Sequence, residues 1–128
     1  MTSRNFIKFW QDTATDDFKT AEELFSLKRY HHALFFCHLS IEKYLKGLIY
    51  SKTGHHALPI HDLKKLAKQA GIDVSEDKEK QLEEITTWNI RARYDDYKRK
   101  FYKKATPDFT LKWLKRVKVI ILWLKNQY

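Results

Sequence analysis

The chain is 128 residues long, with hydrophobic residues at 43%, aromatic residues at 15%, and only three Gly and two Pro. Such a composition argues against disorder and against a turn-rich β fold, and it predicts one domain, residues 1–128, with a core of its own. The formal net charge of +9 is unevenly placed: residues 1–90 carry 13 Lys+Arg against 13 Asp+Glu, whereas residues 91–128 carry 12 against 3. A basic C-terminal third points to a polyanionic partner or an acidic protein surface, without choosing between them.

Apolar spacing predicts five helices. The first runs from Arg4 to Leu27, with Phe6, Trp10, Ala14, Ala21, Leu24 and Phe25 on one side and Asp17 interrupting the stripe. The second, from Tyr30 to Ser51, is the most apolar. Ala33, Phe36, Cys37, Ser40, Ile41, Tyr44, Leu45, Leu48 and Ile49 follow three- and four-residue steps, and Leu34, Phe35 and Leu39 widen the stripe. That width predicts a central position in a bundle. After the breaker TGHHALP, a short helix places Leu63, Leu66, Ala67 and Ala70 on one face and stops at Gly71. The fourth, from Ser75 to Asn89, buries Leu82 and Ile85 among many acids. The last starts with Thr106 as N-cap and Pro107 at the first position. The fold class is therefore an all-α bundle.

The lone Cys37 excludes an internal disulfide and fits a small core residue. No signal-peptide pattern opens the chain, so a cytoplasmic location is expected. The most apolar run, VIILWL from Val119 to Leu124, is far short of the ~20 residues a membrane span needs. Neither CxxC nor HExxH occurs, and adjacent pairs such as His31–His32 and His55–His56 diverge in direction, so no metal and no cofactor are expected. There is no Gly-rich phosphate loop, and Cys37 and Ser40 lie inside an apolar stripe, which disfavours nucleophilic catalysis.

The stretch WNIRARYDDYKRKFYKK, Trp88 to Lys104, has no clean period and is predicted as a loop. Basic groups there can hold phosphates while Tyr94, Tyr97, Phe101 and Tyr102 stack on bases. Alternatively the rings pack on the bundle and the lysine heads reach solvent, answering the acidic fourth helix.

Three pieces, HALFFCHLSIEKYLKGLIY, HDLKKL and RARYDD, occur in the order and spacing of HEPN domains. The chain resembles that family from about Phe6 to Lys125. The resemblance implies an up-and-down four-helix bundle with a short additional helix, usually dimeric, with a role around nucleotides or RNA. It also implies, as partner, a minimal nucleotidyltransferase in a toxin–antitoxin pair. Exposed aromatics on the first and last helices are candidates for the dimer face.

Many HEPN proteins are metal-independent ribonucleases marked by Arg, four to six residues, then His. No His stands five to seven positions after Arg91 or Arg93. Arg93–Tyr94–Asp95–Asp96 instead resembles the Arg-Tyr-Pro-Asp variant of members without that motif. Arg91 and Arg93 can hold a phosphate bidentately, but Tyr97, with a reference pKa of about 10, is a poor base. The expectation is therefore a domain binding a nucleotide or RNA through Arg91, Arg93, Tyr94, Asp95, Asp96 and Tyr97, with catalytic residues unknown. His38, Glu42, Lys43 and His61 are candidates to support the cleft; His38, Glu42 and Lys46 share a helical edge. The rival readings are a ribonuclease with a substituted acid/base residue and a helical protein-interaction module.

Overall fold

A computed structural model describes residues 2–128, which form six helices: α1 (Ser3–Ser26), α2 (Tyr30–Thr53), α3 (Leu63–Ala70), α4 (Glu76–Arg91), α5 (Lys100–Lys104) and α6 (Pro107–Lys125). Their ends follow from local chemistry. The side chains of Thr2, Asp62, Ser75 and Thr106 each accept a backbone N–H of the first turn of α1, α3, α4 and α6. Gly54 and Gly71 close α2 and α3 in the left-handed conformation, at φ 72° and 71°, where a side chain would be strained.

The breadth of the α2 stripe is explained by its neighbours. α2 packs against α1, α6, α3, α4 and α5, so apolar groups face partners around most of its circumference. Ala33, Leu34, Cys37, Ile41, Tyr44, Leu45, Leu48 and Ile49 are all buried. Gly47 sets how closely α1 can approach: a Cβ there would lie 2.7 Å from Trp10 Cβ and 2.7 Å from the Tyr128 hydroxyl. That hydroxyl donates to the Tyr44 carbonyl, tying the C-terminal residue to the middle of α2.

The interruption at Asp17 is resolved by Lys43, whose Nζ lies 2.6 Å from Asp17 Oδ2 across the α1–α2 interface. Asp17 is buried without being an uncompensated charge.

The segment 88–104 corrects the loop expectation. α4 runs two residues beyond the predicted end, through Arg91, with Trp88 and Asn89 buried. Lys100–Lys104 then forms a helical turn that buries Phe101, so there are six helices rather than five. Five residues are too few for a hydrophobic period to register, and α5 is held by capping instead.

Candidate functional site

Two polar zones lie at the end of the bundle where α4 passes into α5. The first is a buried seam between α2, α4 and the loop before α3. Within it His38 is fully buried, Asn89 is 4% exposed and Glu42 6% exposed. Arg93 folds back along α4, where its Nε donates to the Asn89 carbonyl (2.9 Å) and its terminal N–H to Asn89 Oδ1 (2.8 Å). The Asn89 amide nitrogen then lies 3.4 Å from His38 Nδ1, and His38 Nε2 lies 3.1 Å from the His61 carbonyl. A carbonyl can only accept, so His38 carries its proton on Nε2 and accepts at Nδ1. Burial, opposed by the His61 carbonyl and Glu42, lowers the His38 pKa and keeps the ring neutral at neutral pH.

Glu42 completes the seam. Its Oε1 accepts from His61 Nδ1 at 2.8 Å, and its Oε2 lies 3.1 Å from Lys46 Nζ. The His61 side chain is 56% exposed, and with Nδ1 committed to Glu42 its Nε2 is the ring nitrogen free to exchange a proton. Such a carboxylate–imidazole pair can orient a proton acceptor. His38, by contrast, is enclosed and holds its neighbours in place. Asp62 caps α3 by accepting from Lys65 N at 3.1 Å.

The second zone is the ridge formed by α5 and the turn before it. Asp95 Oδ1 accepts from Asp96 N (2.9 Å) and Phe101 N (3.1 Å), and Oδ2 accepts from Tyr102 N (2.9 Å). Asp96 Oδ1 accepts from Lys100 N at 3.1 Å. Partial desolvation works to raise the Asp95 pKa, but the three N–H groups and the Arg99 charge outweigh it and hold the carboxyl below its ordinary range. The two aspartates beside so many cations thus build the helical turn. Around them Arg91, Tyr94, Asp95, Asp96, Lys100, Phe101 and Lys104 line an open depression of about 470 Å³. Tyr94 is 72% and Tyr97 90% exposed. Lys104 pairs with Glu84 at 3.0 Å, so one lysine of the ridge answers the acidic α4 of its own chain.

Of the residues singled out from sequence, Arg91, Tyr94, Asp95 and Asp96 converge on the depression, whereas Tyr97 projects from the turn into solvent. Arg93 belongs to both zones: it is bonded into the seam, and its guanidinium lies 5.4 Å from the centre of the Tyr94 ring and 5.5 Å from that of Phe35. His38, Glu42 and His61 are brought together. Lys43 is not with them, being committed to Asp17. Asn89 is the linking residue that sequence reading missed. Its signal was a lone amide beside Trp88 on a buried face, four residues before Arg93. Among the described residues, no group of three or more His, Cys, Asp or Glu side chains is placed to hold a metal ion. No described helix is long and apolar enough to cross a membrane.

A family model described as HEPN domain matches residues 7–127. The chain belongs to the HEPN family. The fold of this HEPN domain is similar to that in the crystal structure of TT1696 from Thermus thermophilus. The TM-score is 0.84, with 95% of this chain and 98% of that chain covered at 21% identity. At that identity the likeness is one of fold. No curated protein matches the chain. HEPN membership supports either a nucleotide- or RNA-related domain or a helical interaction module.

Proposed function

We propose that this HEPN domain binds RNA or a nucleotide along the depression beside Arg91, Arg93, Tyr94, Asp95, Asp96 and Tyr97. In this reading it acts without a catalytic step, beside a minimal nucleotidyltransferase in a toxin–antitoxin-like pair, as a cytoplasmic homodimer. The observation that carries the reading is the ridge itself. Arg91, Lys98 and Lys100 take part in none of the ion pairs among the described residues, and they flank the exposed rings of Tyr94 and Tyr97 in the chain. Unpaired cations supply phosphate attraction and exposed rings supply stacking, which are the two requirements of single-strand binding. Asp95 and Asp96 set the backbone that presents them. Exposed Phe9 on α1 and Leu111, Val119 and Leu122 on α6 supply apolar surface for a dimer.

The test is titration of labelled single-stranded RNA, and of nucleoside triphosphates, into purified protein at about 50 and about 200 mM salt. Binding that weakens with salt and falls roughly ten-fold in Arg91→Ala supports the reading. Absence of binding to both ligands at low salt overturns it.

A ribonuclease reading is favoured by one observation, the His61–Glu42 hydrogen bond that leaves Nε2 of an exposed imidazole free. It expects RNA cleavage in EDTA that disappears in His61→Ala. Intact RNA after prolonged incubation retires it.

A further inference from the structure

We propose a second phosphate-binding subsite, on the opposite side of α5 from the Arg91 depression, in the corner where the α1–α2 turn meets α5. Its ligand is a phosphate group, carried either by an RNA backbone or by a nucleotide. The subsite deepens the RNA or nucleotide reading and rests on it for the source of the phosphate, though not for the anion chemistry.

The corner is a depression of about 290 Å³ whose lining includes Lys28, Arg29, Tyr30, His31, Tyr102 and Lys103. Its polar groups come from two elements distant in sequence, so the cluster is a product of the fold. None of Lys28, Arg29, Arg99 or Lys103 takes part in an ion pair among the described residues. Like charges gathered in and beside a concavity, with Asp95 as the nearby carboxylate acting against them, make a region of positive potential, which a phosphate relieves.

Flat groups are layered beside it. The Arg99 guanidinium lies 3.8 Å from the centre of the Tyr102 ring. Tyr102 meets His31 edge-on at 5.2 Å, and His31 lies 4.0 Å from His32 at a tilt of 37°. This stack restrains Arg99 and His31, so less side-chain freedom is lost when an anion is bound. Both turns that frame the corner hold a cationic residue in the left-handed region, Lys28 at φ 61° and Arg99 at φ 54°. Backbone of that kind persists where the surroundings enforce it.

The electrostatics at His31 point the same way. Burial lowers its pKa first, and the neighbouring His32, Arg99 from the turn before α5 and Arg29 act in the same direction. Tyr102 faces it from α5. The carboxylate acting against these is Asp95, whose oxygens already accept three backbone N–H groups. A bound phosphate would reverse the balance and draw a proton onto His31, so binding and protonation are linked.

Surface charge alone would also accommodate an acidic peptide. The small volume of the concavity and the planar Arg–Tyr–His stack favour a compact tetrahedral anion over a spread of carboxylates.

Two measurements test the subsite. The imidazole resonances of His31 are followed by NMR against pH, with and without inorganic pyrophosphate. The salt dependence of single-stranded RNA affinity is then compared between wild type and Arg29→Gln/Lys103→Gln, two exposed positions away from the seam. The subsite predicts that pyrophosphate raises the His31 pKa. It also predicts that the double variant binds RNA roughly ten-fold more weakly, with a log–log salt slope shallower by about 1.4, as for two lost contacts to a single strand. A His31 titration indifferent to pyrophosphate, or an acidic peptide matching its effect, overturns the subsite. If pyrophosphate shifts His31 but RNA affinity is the same in both proteins, the phosphate belongs to a nucleotide. RNA that binds through Arg91 while His31 stays silent sinks the subsite and leaves the proposed function standing.

Discussion

In the seam, His38, Asn89 and Glu42 are buried and hydrogen-bonded, with the exposed Arg93 and His61 bonded to them at its edges, whereas on the ridge Arg91, Lys98, Arg99, Lys100 and Lys103 stand in solvent without an ion-pair partner. The two zones draw on the same residue types. Their difference lies in what each polar group has already bonded to. A buried donor with a partner is costly to disturb and holds helices at fixed spacing. An exposed, unpaired cation contributes little to stability and keeps its full charge for a ligand. Arg93 joins the zones, since its hydrogen bonds face inward and its guanidinium plane lies beside Tyr94.

The comparison breaks if the seam tolerates substitution. Asn89→Leu keeps the volume but strands the buried His38 Nδ1 and removes one of the two Arg93 hydrogen bonds, and is expected to destabilise the fold by about 3 kcal/mol, read from the urea midpoint. Glu42→Gln removes the charge facing Lys46 and His61, for an expected loss of about 2 kcal/mol by the same measurement. Either variant unfolding at the wild-type midpoint would refute the seam as a structural unit.

The seam also carries a pH signature. The folded pKa of His38 lies below its unfolded value of about 6.5. The unfolded chain therefore binds the extra proton as pH falls, so this contribution to stability is present above about 6.5 and is lost as pH drops towards the folded pKa. His38→Gln can still donate to the His61 carbonyl and should flatten that part of the stability–pH curve. A curve of unchanged shape would place the titration elsewhere.

The smallest effect is local and belongs to the ridge. Asp95→Ala removes the acceptor of three backbone N–H groups, so the Phe101 and Tyr102 amides should exchange at least roughly ten-fold faster while global stability barely moves. Because the folded Asp95 pKa is lowered, the protection of α5 should persist above the unfolded carboxyl pKa, about 3.9, and disappear as pH falls through the folded value. Hydrogen exchange that is the same in variant and wild type would show that α5 forms without its cap.

Much of the fold was legible because hydrophobic spacing reports faces directly. All four residues assigned to the inner face of α3 are buried, as are Leu82 and Ile85 of α4 and most of the α2 stripe. What stayed hidden depends on contacts between distant segments. Asp17 looked like a flaw in an apolar stripe until Lys43 was found opposite it. Helix α5 was missed because aspartate caps, not apolar periodicity, define it. The grouping of His38, Glu42 and His61 was anticipated in part from one helical edge and a family likeness, but the amide that joins them to Arg93 was not. The corner at Arg29 and Lys103 was invisible for the same reason, since nothing in either segment announces the other.

Cys37 offers a use of a different kind. It is fully buried in α2, and burial raises its pKa, so the reactive thiolate is suppressed twice, by access and by protonation. A thiol-directed reagent can reach it only in molecules whose helices have come apart. As the chain has one cysteine, the modification rate of the unaltered protein under native conditions is a single-site clock for opening of the bundle. Slowing of that clock on adding RNA would register binding through its linkage to stability, with no label on either molecule.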